Sequence, residues 1–169
     1  MLLLFFPFQV KVWFPPGCLG DFKWIIFCPR LLKIEIVISS SNSTEVYNNT
    51  IKENAGYGFA ATNSKLLDFK GNTIEDNDGG VKYTNCDYCN LTFNKIDENG
   101  GYGLWLLSGS NNNTIKHNTI AESSTKDVFL QGSTDNSAFN FTFSTISVDS
   151  SSKLTITANL AIVLSLIHI

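Results

Sequence analysis

The sequence predicts an all-β solenoid: short parallel strands wound coil on coil around one core. Three observations carry this prediction. A motif Asn-x-Ile-x-x-Asn recurs as NTIKEN from Asn49, NTIEDN from Asn72 and NKIDEN from Asn94, and NTIAES from Asn118 is a copy ending at Ser123. The copies start 22 to 24 residues apart, a period typical of stacked repeats. Each copy is followed by a glycine turn and a short apolar stretch, AGYGFAAT, DGGVKYT and GGYGLWLL, with KDVFLQGS as a worn fourth version. Ahead of the next motif stand further apolar residues: Leu67 and Phe69, Leu91 and Phe93, then Ile115.

Residues 1–32, MLLLFFPFQVKVWFPPGCLGDFKWIIFCPRLL, carry no repeat. The apolar start lacks a basic flank, breaks at Pro7 and leads to no small-residue cleavage site, so it is a poor signal peptide. The segment reads as a cap, an irregular signal or non-native sequence. The register reaches back to KIEIVI, because Ile36 precedes Ile51 by 15 residues as Phe59 precedes Ile74. The solenoid is therefore expected over 33–149, as about four to five coils of 22–24 residues. Each coil holds three strands whose apolar residues alternate with period two, not the 3.6 of helical repeats. Three such strands bury no face alone, but stacked about 4.8 Å apart they make three long parallel sheets. The regular leucine frame of leucine-rich repeats is missing. Residues 150–163 leave the repeat and alternate like an antiparallel strand, read as the transition to a missing β-sandwich-like module. Residues 164–169, LSLIHI, resemble a translated adaptor. The chain is expected to be a fragment.

The eighteen asparagines are the main compositional departure. Stacking places Asn49, Asn72, Asn94 and Asn118 in one column, and Asn54, Asn77, Asn99 and Ser123 in another. An amide donates to one coil and accepts from the other, and Asn tolerates the left-handed backbone of tight turns. The asparagines are therefore read as structural ladders.

These motifs resemble the right-handed parallel β-helix repeat proteins of the pectin-lyase-like fold, and among them the NosD-type and surface-protein β-helices rich in NNTI and N-x-x-x-G-x-G-(aliphatic). The resemblance covers Lys33 to Asp149. It implies the fold and leaves function open, because such repeats recur in lyases, hydrolases, epimerases and non-catalytic surface proteins. Enzymes of this fold that act on acidic polysaccharides usually show acidic clusters, an Arg or Lys base, or Asp pairs near His. Here the one arginine, Arg30, lies outside the repeat, and the one internal histidine, His117, sits in a turn. Proton abstraction from a sugar needs a positioned base and a charge sink, so catalysis within this segment is not expected. NosD-type proteins imply periplasmic metal handling, but copper prefers Met, His and Cys ligands, and one Met at the start with one usable His does not supply them.

One face suits a ligand. Phe59, Val81, Leu104 and Val128 point inward, so Lys82, Trp105 and Phe129 share an outward column, with Tyr57 and Tyr102 at the strand entries. Flat aromatics beside polar groups suit sugar rings; the alternative is packing beneath a loop or partner domain. A second column, Glu53, Asp76, Glu98 and Glu122, is either a solvated ridge or a structural calcium site. Cys86 and Cys89 stand in a turn, as two buried thiols, a disulfide or half a metal site. Cys18 and Cys28 lie in the N-terminal segment.

The net charge of −3 with scattered lysines excludes nucleic acid as a natural partner. No run is long and apolar enough for a membrane span. Five sequons, at Asn42, Asn48, Asn90, Asn112 and Asn140, are compatible with an extracellular, cell-surface or periplasmic location. The expected function is a non-catalytic surface or secreted segment that contacts polysaccharide or envelope glycan, or acts as a rigid spacer. The alternative is a fragment of a lyase, hydrolase or epimerase whose active site lies in further coils. Self-association through open sheet ends is also expected.

Overall fold

The computed structural model describes residues 35–157 together with the strands Val12–Trp13, Trp24–Ile26 and Leu31–Leu32. Cys18, Cys28, Arg30 and residues 164–169 lie outside the described residues. The chain forms a right-handed parallel β-solenoid of about five turns with three sheets. Sheet A runs from Val12–Trp13 through Ile36–Ser39, Tyr57–Thr62, Gly79–Thr84, Tyr102–Leu107 and Lys126–Gln131 to Ile146–Val148. Sheet B runs from Trp24–Ile26 through Thr44–Tyr47, Asp68–Lys70, Asn90–Thr92, Thr114–Lys116 and Asn136–Phe139 to Leu154–Thr157. Sheet C stacks Leu31–Leu32, Thr50–Lys52, Thr73–Glu75, Lys95–Asp97, Thr119–Ile120 and Thr142–Phe143.

Register follows the repeat. Ile51, Ile74, Ile96 and Ile120 pair rung to rung in sheet C, and all four are fully buried. Phe59, Val81, Leu104 and Val128 make the matching column in sheet A. Phe59 also stacks on Phe69 of sheet B with centroids 4.4 Å apart, closing the core between sheets. Each buried branched side chain contributes roughly 1.5–3 kcal/mol, and in-register stacking repeats that gain at every coil.

The ends differ from the sequence reading at two points. Strands within residues 12–32 continue all three sheets, with Val12, Trp24 and Leu31 opposite Ile36, Thr44 and Thr50. The expected antiparallel strand beyond residue 149 is parallel: Leu154–Thr157 pairs with Asn136–Phe139 in the same direction as every other rung. Alternation reports which side faces the core and carries no information on strand direction.

Sharp corners separate the strands, and most are made by left-handed residues. Four corner columns recur: Ser40, Asn63, Asn85 and Ser108; Ser43, Leu66, Tyr88, Asn112 and Asp135; Asn48, Gly71, Phe93, His117 and Asn140; Glu53, Asp76, Glu98 and Glu122. The left-handed backbone costs an ordinary L-residue roughly 1–2 kcal/mol, less for Asn and Asp and nothing for Gly. That preference explains the small and polar residues here, and it makes Leu66, Tyr88 and Phe93 conspicuous.

Candidate functional site

The outer face of sheet A gathers the five residues singled out in the sequence. Lys82, Trp105 and Phe129 follow one another on adjacent rungs, and Tyr57 and Tyr102 enter the same strands. The Tyr102 ring lies 4.9 Å from Trp105 and 5.0 Å from Phe129, centroid to centroid, and Trp105 stacks over Phe129 at 6.1 Å. Tyr57 reaches Trp105 at 6.3 Å across the intervening coil. It can do so because that coil has Gly79 at the matching position, where a Cβ would stand 2.5 Å from the Tyr57 ring. Lys82 completes the group, its ammonium 4.7 Å from the Trp105 ring centre and 5.3 Å from Tyr57. All five are half-buried. Burial of Tyr57 pushes its phenol up to about 12, with the neighbouring Tyr102 adding to the shift, so it stays a neutral hydrogen-bonding group at physiological pH. The product is a continuous aromatic platform with one cation seated on it.

The asparagine columns are hydrogen-bonded ladders. Asn49 Nδ2 donates to Asn72 Oδ1 (3.0 Å), Asn72 to Asn94 (3.2 Å) and Asn94 to Asn118 (3.0 Å). The same oxygens accept the backbone N–H of the preceding rung. Asn54, Asn77 and Asn99 repeat the pattern. Sequence reasoning missed a third column: Asn113 takes the Cys89 N–H and Asn136 takes the Asn113 N–H. The signal was present, since Cys89, Asn113 and Asn136 follow the repeat spacing.

The two cysteines are free, fully buried thiols, so the disulfide considered from the sequence is not formed. Their sulfurs are ladder rungs instead. Cys86 stands between Ser64 and Ser110, its sulfur meeting the Ser64 backbone and its N–H donating to Ser110 Oγ (3.1 Å). Cys89 likewise meets the Leu67 backbone. Burial pushes the Cys86 thiol up to about 11 and Cys89 to about 12, which makes both poor nucleophiles.

The acidic column is not gathered into a metal-binding group. Among the described residues, no three His, Cys, Asp or Glu side chains come together in a way that could hold a metal. Glu53, Asp76, Glu98 and Glu122 occupy left-handed corners and are exposed, so their carboxylates point into solvent instead of converging. The neighbouring Glu75 and Asp97 are instead bridged by lysines, Lys95 to Asp97 at 2.9 Å and to Glu75 at 3.7 Å, with Lys52 to Glu75 at 3.6 Å.

Two further features lie elsewhere. His117 stacks on Phe93 (4.7 Å) and its Nδ1 meets Asn140 Nδ2 at 2.9 Å, a surface contact without a carboxylate. On the outer face of sheet B, a shallow groove of about 250 Å³ is lined by Glu45, Tyr47, Asn48, Asp68 and Lys70.

Comparison with known proteins agrees with this geometry. The right-handed β-helix region family matches residues 28–120. A solved structure of the periplasmic alginate epimerase AlgG, a T265N mutant, shares the fold with a TM-score of 0.64 at 20% identity. The match covers 75% of this chain and 34% of that one, so this chain spans about a third of the epimerase. No curated protein matches in sequence. With more than half of its length inside the family's bounds, the chain belongs to the right-handed β-helix family.

Proposed function

We propose that this segment binds carbohydrate through the outer face of sheet A, as part of a surface or secreted protein, and does not itself catalyse a reaction. The observation that carries the reading is the unbroken contact chain Tyr57–Trp105–Tyr102–Phe129 with Lys82 seated on it. Sugar rings offer apolar C–H faces to such rings and hydroxyls to the polar atoms at their edges. Rungs spaced about 4.8 Å apart present a strip along the solenoid axis, which suits a chain of sugars better than a single one. Lys82 favours glycans that carry carboxylate or sulfate. The five side chains include no carboxylate and no imidazole to move a proton, which supports binding over chemistry. An extracellular or periplasmic location accords with this reading; no helix among the described residues is long and apolar enough to cross a membrane.

The test is glycan binding by the chain and by Trp105→Ala. Trp105 is outward, so the variant keeps its fold, and affinity for the best glycan is expected to fall at least roughly tenfold. Unchanged affinity in Trp105→Ala removes the platform as the site. No binding to acidic or neutral polysaccharides leaves sheet A as a packing face and the segment as a rigid spacer.

A further inference from the structure

The outer face of sheet B carries a different pattern. Three of the most exposed large apolar residues, Leu66 (58%), Tyr88 (56%) and Phe93 (57%), flank it. All three occupy left-handed corners, with φ of 53°, 55° and 56°. Other coils place Ser43, Asn112 and Asp135 in the first of these columns, and Asn48, Gly71, His117 and Asn140 in the second. Bulky apolar side chains are unfavourable at such positions; Phe93 stacks on His117 and lies under Lys70, yet all three side chains stay more than half exposed. Strained residues gathered on one face point to a contact made outside the fold.

The floor between these rims states what that contact is. Outward residues on one side include Glu45 and Asp68; those on the other side include Lys70 and Lys116. Asp68 and Lys70 lie on one rung, and Tyr88 and Phe93 end the next rung at opposite rims. A two-fold axis parallel to the solenoid, passing over the midline of sheet B, turns each side onto its opposite. It sets Asp68 against the second copy's Lys70, and Tyr88 against the second copy's Phe93, each twice. A two-fold axis along the strands would instead oppose the acidic column to itself.

We infer that sheet B is a self-complementary face through which two copies of this chain pair side by side with their solenoid axes parallel. A symmetric pair must use the same patch on both copies, and this patch meets that demand on two adjacent rungs, in charge at Asp68 and Lys70 and in aromatic contact at Tyr88 and Phe93. Five rungs by about 16 Å of chain give roughly 800 Å² buried in total. That area belongs to a weak, reversible dimer. The groove beside Glu45 and Asp68 falls within the same face.

Sedimentation equilibrium of the full chain across micromolar to millimolar concentration tests this. Wild type is expected to show a monomer–dimer equilibrium. Asp68→Lys and Lys70→Asp should each raise the dimer Kd by roughly tenfold or more, by opposing like charges. The combined Asp68→Lys/Lys70→Asp exchanges the two signs on one rung and should restore the dimer. Phe93→Asn should weaken pairing while leaving the melting temperature unchanged or higher, which separates loss of contact from loss of fold. A monomer at every concentration, with or without a glycan on this face, overturns the inference. So does self-association indifferent to all four variants, which would mark end-to-end pairing of open sheet edges. A double reversal weaker than either single one would also overturn it, because the face would then not be self-complementary.

Discussion

Coils built on Tyr57–Asn99 and the coil that begins at Lys126 solve the same corner in two ways. In the regular coils the chain leaves sheet C at an asparagine and enters sheet A at a glycine: Asn54 with Gly58, Asn77 with Gly80, Asn99 with Gly103. The glycines are required, because a Cβ at Gly58 or Gly103 would stand 2.6 or 2.7 Å from Ile74 or Ile120 Cγ2. The amides fill the corner, with Asn77 Oδ1 taking both the N–H and the Nδ2 of Asn54. In the last full coil, Ser123 replaces the asparagine, and Asp127 occupies the position of Gly103. Its buried carboxylate accepts from the backbone N–H of Ser123 (3.1 Å), Ser144 (2.7 Å) and Thr145 (2.9 Å). A shorter side chain at one point is matched by a longer one four residues on. Corner hydrogen bonds are therefore conserved as a set, although no single residue is.

The contrast extends to the core. Ile96 is fully buried, whereas Phe143, one rung beyond Ile120 in the same column, is only partly covered. Ile96→Asn removes a full apolar side chain and buries an unpaired amide, a combined cost of about 4 kcal/mol. Phe143→Asn leaves its amide in reach of water and should cost about half as much. Chemical denaturation of the two variants measures both, and equal losses would mean that the two regions are packed alike.

Much of this was legible in the sequence because stacking repeats a residue's environment at every coil. The isoleucine column and both asparagine ladders followed from the spacing alone. So did the placement of Lys82, Trp105 and Phe129 on one face, since side chains alternate along a strand. What escaped notice were rungs made by unlike residues. Cys86 stands for Ser64 or Ser110, and Asp127 stands for Gly103; the period held these equivalences, but residue type hid them. The acidic column is not gathered into a metal-binding group for another reason. Register places residues one above another, while the left-handed corner decides where their side chains point, and these point outward. The aromatic corners Tyr88 and Phe93 were likewise invisible, because sequence alternation gives no sign of φ.

The next test exchanges one corner solution for the other. Asp127→Gly removes the acceptor of three part-buried backbone N–H groups and should cost about 3 kcal/mol. Adding Ser123→Asn brings back the amide of the regular coils, and with it at least about half of that loss is expected to return. A double variant no more stable than Asp127→Gly alone would show that the last coil cannot accept the regular corner, and that Asp127 serves something other than its backbone neighbours.

The last test lies in the regular half and depends on pH. Cys86 and Cys89 are neutral in the fold, held there by burial, with their titration moved up from about 9 to about 11 and about 12. In the unfolded chain the thiols ionise near 9. Below that pH both states carry the proton, and the thiols leave stability unaffected. Above it the unfolded state gains by losing protons, so stability falls as pH climbs from about 9 through 11 to 12, by at most about 1.4 kcal/mol per unit of separation for each group. Tyr83, buried beside them, is also moved well up by desolvation and steepens the decline once the unfolded phenol ionises, near 10. In Cys86→Ser/Cys89→Asn, both positions carry residue types already used as rungs by Ser110 and Asn113. That variant should match the wild type in melting temperature at pH 7 to within a few degrees and lose less of it at pH 10.5. Hydrogen exchange at high pH should then show protection lost first around Tyr83–Leu91 in the wild type and not in the variant. Parallel pH profiles for the two proteins would mean that the thiols are already ionised in the fold, and their assignment as neutral rungs would have to be given up.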